Sequence, residues 1–172
     1  VFGIQSLNTE DGALVTVPRE LAMSQENILA ASLSPALSWA DVLARMQIDR
    51  PFFSGAALVA LFLLHERAKK KLSKWNPWIV ELPSAGTLRT ALYCGEAEIA
   101  ALDGCAHVQD LLQEYTDSFA KLDARLAVLC EEQRSLFPRK TFSTEQFRWA
   151  LSTVIARAVH DDGTGAPVVA PY

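Results

Sequence analysis

Hydrophobic and polar positions along the chain change period several times, and the changes divide it into short β elements and a helical middle. Near the N-terminus Gly3-Ile4 and Ala13–Val17 flank a polar turn, Asn8–Gly12. Asp11-Gly12 suits a tight turn with positive φ, so the pattern predicts a hairpin, and Pro18 ends its second strand because it cannot donate to a ladder. From Ser24 the period becomes helical. Ser24 caps a short helix carrying Ile28 and Leu29, and Ser38 caps a second carrying Trp39, Val42, Leu43 and Met46. Pro51 interrupts, and Ser54 is expected to open a long helix through Lys71. That helix is apolar at its start and basic at its end, which suits the negative end of the helix dipole.

Ser73–Pro83 combines two prolines with two tryptophans and predicts a turn with one or two helical turns. Glu96–Leu102 reads as a short helix after Gly95. Leu111, Leu112, Tyr115, Phe119, Leu122, Leu126 and Leu129 keep a 3.6-residue period, which predicts a long amphipathic helix. Pro138 breaks the helical pattern beyond it. Ser143 with Gln146 three residues later forms a capping-box pattern for a helix with Phe147, Leu151, Val154 and Ile155 on one face. A polar loop, Asp161–Gly165, then leads to a short β candidate at Val168–Ala170. The expected fold class is α+β, mainly helical, with small β elements at the two ends flanking a helical insertion.

Composition adds exclusions. The chain has 172 residues, half of them hydrophobic, with a net charge of -4, so it can bury a core without staples. Lys69, Lys70 and Lys71 are its densest basic cluster, too narrow for a nucleic-acid face. Ala56–Leu64, the longest apolar run, is too short to span a bilayer. Cys94, Cys105 and Cys130 are odd in number and form no CxxC, so buried free thiols in a reducing compartment are expected. His65, His107 and His160 lack metal-ligand spacing, so no metal site is expected, and there is no P-loop, GxGxxG or GxSxG. Trp75, Trp78 and Trp149 read as core packing.

Arg157 is the one residue that points to chemistry. It ends a helix among Val154, Ile155, Ala156, Ala158 and Val159. An arginine there either snorkels to the surface or forks its guanidinium onto a carboxylate or a backbone carbonyl.

The order of motifs resembles the SET-domain methyltransferases of the group that includes the Rubisco large-subunit lysine methyltransferase and the actin-histidine methyltransferases. Phe2-Gly3-Ile4 is similar to the GFGL turn of that group. ALVTVPRELAMS resembles its second strand and VPxxLxMT run, and ALVALFLLHERAKKKLSKWNPWIVELPS its next helix and LP segment. LFPRKTFSTEQFRWALSTVIARAV resembles its FtxexfxWAxsxvxTRaf run. VVAPY resembles the strand leading into PxxDxxNH. Val1 departs from the usual glycine, and the first turn is shorter than usual.

The resemblance implies a SET part at residues 1–50, a helical insertion at 51–140, and a helix and strand at 141–172 that lead into a C-terminal SET part beyond the chain. It implies an AdoMet-dependent protein-lysine N-methyltransferase, present as an incomplete and inactive piece, with no catalytic residue among these 172. Phe2, Gly3 and Arg157 would contribute to the S-adenosyl-L-methionine site. Val159 would face the substrate, and its apolar side chain leans toward the lysine branch over the histidine one. The partner would be a protein substrate, with no membrane. The alternative is a non-catalytic SET-like scaffold subunit of a larger complex, such as a plastid transcription assembly. The expected location is the plastid stroma or the cytoplasm.

Overall fold

The fold is seen in a computed structural model, which describes residues 18–88, 90–102, 104–160 and 167–169. The expected N-terminal hairpin, with Phe2 and Gly3, lies outside the described residues. The rest is mainly helical: α1 (Gln25–Ala30), α2 (Trp39–Arg45), α3 (Pro51–Lys69), α4 (Asn76–Ile79), α5 (Glu96–Ala100), α6 (Ala106–Glu132) and α7 (Thr144–Arg157). Two short strands come after them, β1 (Val159–His160) and β2 (Pro167–Val168).

The central element is α3. Every residue from Phe53 to Leu64 is buried, so this helix is apolar all round and has no solvent face over those turns. It begins at Pro51, three residues before the expected start at Ser54. A proline fits the first helical position because its missing N–H would have no intrahelical partner there. Ser54 instead lies buried inside the helix, where its hydroxyl accepts from the Ile48 N–H at 2.9 Å. It fastens the α2–α3 turn rather than starting the helix.

Helix α7 packs along α3, and α1 and α2 also lie on it. The short helices start where the sequence places their caps. Ser24 accepts from Asn27, and Ser38 forms a full capping box with Asp41. The hydrogen bonds from Ser38 hold the Asp41 carboxyl below its ordinary pKa. Trp39 sits at the centre of an aromatic cluster, edge-on to Phe62, His65 and Phe137. Helix α6 buries Ser118, Phe119, Leu122, Leu126, Leu129 and Cys130 along one stripe. The expectation of buried thiols holds for Cys130 alone: Cys94 is half-buried and Cys105 is exposed just ahead of α6.

The β elements form a small patch against α3. Strands β1 and β2 pair antiparallel, Val159 with Val168 and His160 with Pro167. Val169 continues into a bridge with Met23, whose N–H donates to the Val169 carbonyl at 2.7 Å. Gly55 of α3 makes this approach feasible, because a Cβ there would lie 3.0 Å from Pro167 Cδ. Three distant segments therefore meet at one end of α7: the stretch before α1, the first turns of α3 and the returning strand.

Candidate functional site at the end of helix α7

Helix α7 is anchored along its length before it delivers Arg157. Ser143 accepts from the Gln146 N–H at 3.3 Å, the first half of the expected capping box. The second half is absent. The Gln146 Oε1 instead accepts from Arg67 Nη1 at 2.8 Å, so the side chain reaches across to α3 rather than back to its own cap. The same Arg67 guanidinium lies 4.2 Å above the Trp149 ring, and Trp149 Nε1 donates to the Pro83 carbonyl at 2.8 Å. Phe147 stacks on Phe119 of α6 at 5.9 Å.

The C-terminal half of α7 is buried on more than one face. Leu151, Ser152, Thr153 and Val154 are all inaccessible. Ser152 accepts from Thr90 Oγ1 at 2.9 Å, which ties the helix to the segment after α4. Thr153 Oγ1, by contrast, is buried without a hydrogen-bond partner among the described residues. The helix stops at Arg157. The next residue, Ala158, turns extended (φ -68°, ψ 132°) while its N–H still reaches the Val154 carbonyl at 2.7 Å. The chain passes from helix to strand with no intervening loop.

Arg157 therefore occupies the helix–strand junction, half-buried, beside the β patch. Its charge suits the negative end of the helix. Among the described residues it has no ion-pair partner. Of the four residues expected at a cofactor or substrate site, Arg157 is the one whose side chain is described. Phe2 and Gly3 lie outside the described residues, and only the backbone of Val159, in β1, is described.

The described donors fit a carboxylate-bearing cofactor. A half-exposed guanidinium at a helix–strand junction can fork onto a carboxylate. Thr153, one helical turn earlier, carries a buried hydroxyl with hydrogen-bonding capacity unspent. Among the described residues no cluster of acids, histidines and cysteines could hold a metal ion. Also among them, no helix is long and apolar enough to cross a membrane.

Comparison with known proteins gives these features a context. The chain is similar to actin-histidine N-methyltransferase of Rhinolophus ferrumequinum, 32% identical over 143 residues. The enzymes of that name from Danio rerio and Mus musculus are 32% and 30% identical over the same length. These relatives are named as protein methyltransferases. The matched residues make up 82% of this chain and 22% of each relative, so the chain spans about a fifth of the length of the proteins it matches. No family model and no solved structure matches it.

Sequence reasoning missed the group around Trp149. Arg67, Pro83, Gln146 and Trp149 form one interlocked unit across 82 residues of chain separation at most, counted from Arg67 to Trp149. No local pattern carries such a unit. The only signal is the paired occurrence of a tryptophan and an arginine on two helices that both carry many apolar residues.

Proposed function

We propose that this chain is part of a SET-type protein N-methyltransferase, supplying the Arg157 side of an S-adenosyl-L-methionine site. The similarity to protein methyltransferases over 82% of the chain carries the reading. The placement of Arg157 supports it, because the residue singled out by the resemblance ends a buried helix beside the β patch. Bound there, the cofactor would supply the methyl group. Arg157 would hold its carboxylate, with Phe2 and Gly3 approaching from the N-terminal turn. The division into 1–50, 51–140 and 141–172 belongs to the same proposal, with the catalytic groups contributed from outside these residues.

The acceptor in this reading is a protein lysine amine, which the apolar Val159 favours. A histidine acceptor is the second reading, and the names of the relatives favour it. Methylation of intact actin and of a lysine-rich protein extract, with mass spectrometric mapping of the products, separates the two by the residue that gains the mass of one methylene.

The deciding experiment is calorimetric titration of S-adenosyl-L-methionine into the full-length polypeptide. Binding is expected, and Arg157→Ala should weaken it at least tenfold, which corresponds to about 1.4 kcal/mol. No heat from the unaltered protein would discard the cofactor site and leave the non-catalytic scaffold reading in its place.

A further inference from the structure

A groove separate from the Arg157 junction lies at the other end of α7. It is a concave space of about 500 Å3 between the end of α3, the segment from α4 to Ala85, and the first turns of α7. That volume lies within the ordinary range for binding clefts. Its floor is apolar, built from Ile79, Leu82, Pro83 and Trp149. Val80 also lines it and is 64% exposed, a large apolar side chain that the fold leaves in water.

The walls are charged and unequal. Arg67 and Lys70 stand on the α3 side, and Glu145 on the α7 side. Arg67 is fixed by its stacking on Trp149 and its bond to Gln146, so its charge is held in place before any ligand arrives. Lys70 is the one non-glycine residue with positive φ among the described residues, at φ 52° and ψ -129°. Its side chain is exposed beside Arg67 at the end of α3. Arg67, held in place, and the exposed Lys70 give the α3 side a positive edge above an apolar floor, within a chain whose net charge is -4.

We infer that this groove docks an extended acidic segment of a protein substrate, with an apolar side chain seated between Val80 and Trp149. The carboxylates of the segment face Arg67 and Lys70. Trp149 stands eight residues before Arg157, about 12 Å along the helix axis at 1.5 Å per residue. Docking there would leave the Arg157 junction free, so the groove would act as a recognition surface at a distance from the chemistry. The inference rests on the proposed protein-methylating function only in taking the occupant for a substrate.

The test uses an acetylated and amidated hexapeptide of alternating glutamate and leucine, with the lysine–leucine counterpart as control, and no cofactor. Binding is tracked by the Trp149 indole N–H and Val80 methyl resonances. The glutamate peptide should shift both, and the lysine peptide should not. Lys70→Glu should weaken binding at least fivefold, Val80→Asp should abolish it, and Glu145→Lys should strengthen it. All three positions have exposed side chains, so the variants should fold. Absence of binding, equal binding of both peptides, or shifts confined to another face would overturn the inference. The S-adenosyl-L-methionine titration is a separate measurement, so failure of the groove and failure of the cofactor reading are distinguishable.

Discussion

Single residues in this chain show where burial and chemistry disagree. Thr153 is fully buried on α7, and its hydroxyl has no partner among the described residues. A buried hydroxyl that has given up water and gained nothing is a net cost. Thr153→Val keeps the branched shape and removes the polar atom. We expect it to raise the unfolding free energy by about 1 kcal/mol in chemical denaturation. His65 presents a different imbalance. Burial lowers its pKa below the ordinary 6.5, the nearby Lys69 lowers it further, and Glu66 opposes both. Well above pH 6.5 the imidazole is neutral in the folded and unfolded chains alike, so it contributes no slope there. As the pH falls below that value the unfolded chain takes up the proton first. Stability should therefore drop with acidification until the folded histidine also protonates. Thermal melts between about pH 7.5 and pH 5 should show this loss, and His65→Gln should flatten it.

Elements are legible in the sequence wherever their signal is local. Ser24, Ser38 and Ser143 each cap the helix directly after them, because a cap depends on a backbone three residues away. The stripe on α6 is equally plain, since a helix with one wet face advertises its period. Misreadings fall where a distant partner decides. Ser54 has the sequence context of a cap, but its hydroxyl serves Ile48 within a helix that Pro51 has already begun. Gln146 has the spacing for half of a capping box, but Arg67, 79 residues away, claims its side chain. Gly55 gives no local sign of its role, which also depends on a distant partner: its missing Cβ is what lets Pro167 lie against α3. Gly55→Leu should push β2 off the helix at a cost of about 2 kcal/mol. Loss of the Met23–Val169 bridge would be read as faster exchange of the Met23 amide.

Across the whole molecule, stability is concentrated on the α3–α7 axis and thins toward the start of α6. The residues that define α3 are inaccessible from Phe53 to Leu64, and α7 is buried along most of its length. In α6 the first buried residue is Ser118, twelve residues after the helix begins, and Val108 and Leu111 stand in water ahead of it. Tyr115, edge-on to Phe53, and an ion pair between Glu114 and Arg50 help to tie this stretch down, and the segment at 91–93 also packs on α6. An exposed pair of that kind contributes little, about 0–1 kcal/mol. The helix should therefore open locally from its N-terminal end while its C-terminal half stays closed with the core. Hydrogen exchange provides the measurement. Amides at 110–114 should exchange at least about ten times faster than those at 122–130, and Arg50→Ala should widen the gap by speeding only the first group. Equal protection along α6 would mean that its first turns belong to the core, against what their burial shows.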